Sequence, residues 1–109
     1  PDTEIGMHAH DDCGMAVANS VCATQGGVSH VQGTFLGFGE RTGNANLSAV
    51  IPTLQLKRGL PRIPEERMHT LTATAMRIAE IANITLHKNM PFVGRSAFAT
   101  KQACMRMAF

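Results

Sequence analysis

Two histidines one residue apart, His8 and His10, are the residues in this chain best placed to do chemistry. They sit in Glu4-Ile5-Gly6-Met7-His8-Ala9-His10-Asp11-Asp12. Residues 4–7 read as a short buried strand. A strand sends alternate side chains to the same side, so both imidazoles leave one face at its carboxyl end. Such a pair is a two-point clamp for a divalent cation, since neutral imidazole is the commonest protein ligand for these ions. The spacing also fits two partly exposed histidines satisfied by neighbouring backbone. Asp11 and Asp12 follow directly, either as acceptors that orient the imidazoles or as the cap of the next helix.

The second stretch of interest is Gly33 to Asn46, with glycines at 33, 37, 39 and 43 around Glu40, Arg41, Asn44 and Asn46. Glycines at this density mark a loop that needs unusual backbone angles or close approach to a ligand. A flexible loop with Asn46 capping a helix explains the composition equally well. The spacing does not match a P-loop, and no phosphate-binding lysine follows. If the strands on either side of the first helix are parallel, their carboxyl ends lie together. Asn44 then offers a carbonyl oxygen to the ion held by His8 and His10.

The elements that must position these groups follow a βαβ pattern. Residues 15–24 read as a small-residue helix stopped by Gly26-Gly27, and residues 28–35 as a β-branched and aromatic strand. Strand, helix and strand in so short a span imply a parallel sheet. Leu47, Val50, Ile51 and Leu54 recur at helical spacing, with Pro52 inside and Gly59 near the end. Leu60 to Ile63 form a linker. Pro64, Glu65 and Glu66 suit a first helical turn, and Met68, Leu71, Ala75, Ile78, Ala79 and Ala82 make its buried stripe. His69 and His87 read as surface residues, His30 as packed, residues 89–94 as an irregular loop and the last fifteen residues as a short helical or ragged end.

At 109 residues, with 44% hydrophobic residues, the chain suffices for one modest domain. Its formal charge of +2 is too small, and its Lys and Arg too scattered, for a nucleic-acid surface. No apolar run approaches the roughly 20 residues that span a bilayer. Cys13, Cys22 and Cys104 form no C-x-x-C pair and read as reduced thiols of a cytoplasmic protein, with Cys22 in the core.

The residues of these stretches are similar to one family. His8-Ala9-His10-Asp11-Asp12, Ala16-Val17-Ala18-Asn19-Ser20, Gln32-Gly33-Thr34 and Gly39-Glu40-Arg41-Thr42-Gly43-Asn44-Ala45 resemble the 2-isopropylmalate synthases and their homocitrate and citramalate synthase relatives. More distantly they resemble 3-hydroxy-3-methylglutaryl-CoA lyase. The likeness continues through Ile78 to Asn83 and Pro91 to Ala99, and around Ile51-Pro52 and Leu56-Lys57 it looks most like the citramalate branch. It implies a TIM barrel that condenses acetyl-CoA with a 2-oxo acid at a divalent metal (Mn, Mg or Zn). His8, His10 and Asn44 match the family's metal-associated residues, and Glu40 is the candidate for proton transfer or orientation. Arg41 is expected to brace the loop by pairing with a carboxylate, and Asp11 to hold an imidazole in its tautomer.

The departures are specific. The family's early Arg-Asp-Gly segment, which supplies another metal ligand, has no counterpart here. After Ser96-Ala97-Phe98-Ala99 the chain runs Thr100-Lys101-Gln102-Ala103-Cys104-Met105-Arg106, where the family carries histidines and glycines. A closed barrel needs roughly 250 residues, so the expectation is the C-terminal portion of an α/β barrel. Residues 1–59 would form its last βαβα part, and residues 60–109 a helical extension that starts a linker subdomain. Starting at Pro1 in mid-domain, the chain reads as a fragment with about six strands missing, inactive alone and held by copies of itself or another chain. Two other readings stay open. One is a metal-dependent barrel lyase or hydrolase, although a barrel hydrolase would need further histidines that His30 and His69 do not supply. The other is a non-catalytic, self-associating remnant.

Overall fold

The computed structural model describes residues 2–98. The chain runs β1 (Gly6–His8), α1 (Ala16–Gln25), β2 (His30–Gln32), α2 (Leu47–Pro52) and α3 (Leu71–Ile81). The two strands pair in parallel, with Gly6 opposite His30, Met7 opposite Val31 and His8 opposite Gln32. Parallel strands require a crossover, and α1 supplies it. The expected βαβ unit is therefore present, but each strand is shorter than its β-branched run suggested. Residues 4–6 are exposed rather than buried, because nothing in the described chain packs over that end.

Helix α1 starts where the Asp11 Oδ1 accepts from the Ala16 amide at 3.0 Å, so one of the two aspartates does serve the helix start. The helix stops at Gly26–Gly27, and the Val28 amide closes its last turn on the Ala23 carbonyl. Asn46 caps α2 by accepting from the Ser48 amide at 3.0 Å. Pro52 has no amide to continue the ladder, and the chain opens into a wider π-type turn over Thr53–Lys57. A three-ten turn over Glu65–Thr70 runs straight into α3. A second, over Phe35–Gly37, opens the glycine-rich loop.

Two apolar clusters hold these elements. Ala9, Ala16, Ala45, Val50 and Leu54 form the first, where small side chains let α1 approach both strands and α2 closely. Leu71, Ala75 and Val93 form the second, to which Phe35 and Leu36 add their rings and methyls from the end of β2. Leu71, Ala75 and Ala79 are buried on α3 as the periodicity requires, but Ala82 lies exposed past its end. Cys22 is exposed too and is not a core residue. His30 is likewise exposed rather than packed. His69 and His87 are at the surface as expected. The expected turn at the chain end begins as a three-ten turn over Arg95–Phe98, and the rest of that stretch, with the sequence departures at 100–106 and Cys104, lies outside the described residues.

Val50 is 2% exposed at the centre of the first cluster. Val50→Ala should cost roughly 2–3 kcal/mol in urea unfolding through the lost methyls and the cavity they leave; a loss under about 0.5 kcal/mol would show that this cluster does not hold the fold.

Candidate metal centre

The site is assembled by backbone before any side chain is considered. Beyond β1 the chain continues through Ala9 to His10, and His10 forms an antiparallel bridge with Asn44. The Ala45 amide donates to the Ala9 carbonyl at 3.1 Å and the Asp11 amide to the Gly43 carbonyl at 2.9 Å. On the other side, Thr34 beyond β2 bridges Asn46. The glycine-rich loop thus folds back and lies between the carboxyl ends of the two strands.

His8 and His10 come together as their spacing predicts. Their ring centroids are 5.2 Å apart, edge to face, and both side chains are exposed. Asn44 joins them through the bridge to His10. Its Nδ2 donates to the Phe38 carbonyl at 3.0 Å, which fixes the carboxamide plane. The Oδ1 is buried and has no hydrogen-bond partner. A buried acceptor without a donor costs on the order of 1–3 kcal/mol, so this oxygen, on the residue bridged by backbone to His10, is one that a cation could satisfy. Among the described residues no group of three or more His, Cys, Asp or Glu could hold a metal. The sequence-predicted donors are thus two imidazoles, brought together by β1 and its continuation, and one carboxamide linked to them by the backbone bridge from His10.

The loop geometry requires its glycines. Gly43 has φ 97°, and a Cβ there would collide with the Gly37 carbonyl oxygen. A Cβ on Gly39 would stand 2.5 Å from Asn44 Nδ2. The Gly43 amide donates to the Glu40 carbonyl at 2.9 Å, closing a turn in which Arg41 takes φ 56°. Glu40 stands exposed at the tip of this turn.

Arg41 pairs with a carboxylate as expected, and that carboxylate is Asp12. Arg41 Nε donates to Asp12 Oδ1 at 3.1 Å and to Oδ2 at 3.2 Å. Thr42 Oγ1 donates to the same Oδ1 at 3.1 Å. These bonds, that from Arg41 first and that from Thr42 next, hold the Asp12 carboxyl below its ordinary value of 3.8. Asp11 spends its Oδ1 on Ala16. Sequence reading passed over Asp12 as a loop tie because its partners lie 29 and 30 residues away, beyond any local pattern. It also placed His87 merely at the surface. His87 and Asn89 in fact line a cleft of about 370 Å³ together with Asn44 and Asn46.

Two parallel strands joined by a helix, with an imidazole pair at the end of the first and a carboxamide from the loop after the second, define an α/β unit of the kind parallel barrels are built from. The HMGL-like family model matches residues 1–85. The chain belongs to the HMGL-like family. It is 54% identical over 100 residues to (R)-citramalate synthase of Aquifex aeolicus, covering 92% of this chain and 19% of that protein. To (R)-citramalate synthase of Synechocystis it is 52% identical over 98 residues, 90% of this chain and 18% of that protein. To 2-isopropylmalate synthase of Proteus mirabilis it is 38% identical over 96 residues, 87% and 18% of the respective chains. The chain therefore spans about a fifth of the length of these curated relatives. In fold it matches the N-terminal domain of a protein described as an aldolase from Bacteroides vulgatus, with TM-score 0.57 at 20% identity, over 98% of this chain and 36% of that one.

Because the Asp12 pKa is depressed in the folded chain, the loop tie it makes is fully present above the ordinary carboxylate pKa and is lost as pH falls through the lowered value. Carboxyl titration by NMR should place Asp12 below 3.8, and Arg41→Ala should return it toward that value. A wild-type Asp12 titrating at or above 3.8 would show that the tie does not form in solution.

Proposed function

We propose that this chain supplies part of the active site of an acyltransferase that condenses acetyl-CoA with a 2-oxo acid, of the alkylmalate synthase type. The observation that carries the proposal is the imidazole pair of His8 and His10, with His10 bridged by backbone to Asn44, whose Oδ1 is buried and unpartnered. These three residues would hold a divalent metal (Mn, Mg or Zn). When bound, that ion supplies Lewis-acid polarisation of the 2-oxo acid's carbonyl. The chain's own residues do the positioning. The bridge from His10 to Asn44 fixes the backbones that carry the imidazole and the carboxamide, and Phe38 sets the carboxamide plane. Glu40 is the group available for proton transfer or for orienting a substrate, since its carboxylate stands exposed at the loop tip. Arg41, paired with Asp12, holds the tip in place rather than acting on substrate. Asp11 follows His10 directly in the chain and is assigned the role of holding an imidazole in its tautomer with the carboxylate oxygen that does not anchor α1.

The higher identity to the two citramalate synthases than to the 2-isopropylmalate synthase favours the citramalate branch. The segment would work inside a longer barrel, as the C-terminal part of its catalytic domain (residues 1–59) followed by a helical extension (residues 60–109). The separate clusters around Val50 and Leu71 support that division, although Phe35 and Leu36 cross it. A barrel context is also supported by what is left uncovered: β1 and β2 bury neither face fully, and Ile5, Met15 and Ile81 are more than half exposed. Further strands, or further copies in a homo-oligomer, would cover these surfaces. Alone, the 109 residues should not turn over acetyl-CoA with any 2-oxo acid. The exposed free thiols of Cys13 and Cys22 suit a reducing cytoplasmic setting.

Calorimetric titration with Mn²⁺ or Zn²⁺ tests the centre. The wild-type chain should bind one ion, and His8→Ala should abolish binding without a change in circular dichroism. Equal binding by wild type and His8→Ala would overturn the assignment of the imidazole pair.

A further inference from the structure

The linker between α2 and α3 is tied down by one side chain. Pro52 opens α2 into the π-type turn over Thr53–Lys57, and that turn carries Gln55. Gln55 Nε2 donates to the Ile63 carbonyl at 2.9 Å. Its Oε1 accepts from the Arg62 amide at 2.9 Å and from the Ile63 amide at 3.1 Å. One half-buried carboxamide therefore satisfies three main-chain groups of a single dipeptide, using both lone pairs of its oxygen. The match is selective for this side chain. Asparagine is one methylene too short for the same reach, and a glutamate carboxylate could accept from both amides but not donate to the carbonyl.

The tie falls between a joint and a lever. Gly59 has φ 65°, and a Cβ there would meet nothing within 4 Å, so no packing holds the backbone at this position. The Leu60 amide closes the end of the π-type turn on the Leu54 carbonyl at 2.8 Å. After Gly59 no glycine falls before Gly94. Pro61 and Pro64 bracket the clasped dipeptide, each fixing its own φ, and Pro64 biases Ile63 toward extended backbone. The three-ten turn over Glu65–Thr70 then passes into α3 without a break. An angle set at Arg62–Ile63 is thereby passed on to α3. There Leu71 and Ala75 pack with Val93, and Phe35, Leu36 and Met90 lie against them. That packing seats His87 and Asn89 in one cleft with Asn44 and Asn46.

We propose that Gln55 is a positioning residue for the site: its carboxamide clasps the linker and so sets where the wall carrying His87 and Asn89 stands against the loop carrying Asn44. Only the kinetic consequence rests on the synthase reading above. The apolar cluster around Leu71 holds the extension at one end, and the clasp holds it at the other. With the clasp broken, α3 rotates about the apolar contact while Gly59 absorbs the change, and the wall loses its fixed place. His8, His10 and Asn44 precede Gly59 in the chain and stay where the main-chain bonds of the glycine-rich loop put them.

Hydrogen exchange read by mass spectrometry on the native full-length protein tests this, with Gln55→Met as a variant of similar length that lacks the carboxamide. Peptides covering residues 60–64 and 86–93 should each exchange about tenfold faster in Gln55→Met than in wild type, whereas those covering β1, α1 and residues 39–46 should stay within about twofold. kcat/KM for condensation should fall roughly two- to tenfold, the scale of a lost neutral hydrogen bond, with Mn²⁺ affinity held within about twofold. Gln55→Glu, which keeps the two accepting bonds, should fall between Gln55→Met and wild type in both readouts. Unchanged exchange at residues 60–64 would show that the clasp does not form and would overturn the proposal. Faster exchange there, with residues 86–93 and kcat/KM unchanged, would make Gln55 a tie of the linker alone, and the positioning role would fail. A uniform rise across all peptides would mark a general loss of stability and would overturn it too. If the wild type carries out no condensation, the synthase reading falls, and exchange at residues 86–93 still decides the clasp.

Discussion

The geometry of the site depends on a backbone constraint: the glycine-rich loop is stitched to the chain beyond β1. The Asp11 amide reaches Gly43 and the Ala45 amide reaches Ala9, while the Asn44 amide turns inward to the Gly37 carbonyl. Three main-chain bonds thus determine where Asn44 stands relative to His10. Side-chain rotamers choose only the last ångström or two. This ordering matters chemically, because a shared centre must be preorganised by parts of the chain that cannot drift.

Close stitching has a steric cost that explains the composition of the loop. Gly37 and Gly43 approach until there is no room for a Cβ between them, and the backbone of Gly39 lies flat against the Asn44 carboxamide. The glycines that looked like flexibility in the sequence are here a requirement of density. Arg41 and Thr42 then converge on Asp12 across the loop. Their exposed bonds are individually weak, but they fall at the tip, where they add to the single main-chain bond from the Gly43 amide to the Glu40 carbonyl. Glu40 is carried on this tip, so its position is set by the Gly43 amide on its carbonyl and by the tie of Arg41 and Thr42 to Asp12.

Much of this was legible in the residues because two simple periodicities govern it. Alternation along a strand placed His8 and His10 together, and the parallel sense forced by a helical crossover brought the second loop to the same end. What could not be read were the features decided by neighbours distant in sequence. Cys22 looks apolar enough for a core, yet α1 buries Ala16 and Ser20 and leaves Cys22 exposed. β-branched runs at 28–35 predicted a long strand, but pairing lasts only while a partner exists, and β1 supplies three residues. His87 carried no local signal at all. It reaches the cleft because Phe92, Val93 and Met90 pack on Leu71 and Ala75 and draw the segment after α3 toward Phe35 and Leu36.

The two clusters explain why a site at the end of a small sheet can also have a second wall. The first, around Val50, anchors the loop that bears Asn44. The second recruits Leu36, the residue at φ 63° on the same loop, and so ties the position of residues 87–91 to the conformation that presents the carboxamide. Displacing Leu36 would move both walls at once, since its left-handed backbone is tolerable only while the apolar contacts of its side chain hold it. The wall of the cleft that carries Asn44 and the wall that carries His87 are therefore not independent features placed side by side. They are two faces of one strained turn, held from below by α2 and from the side by α3.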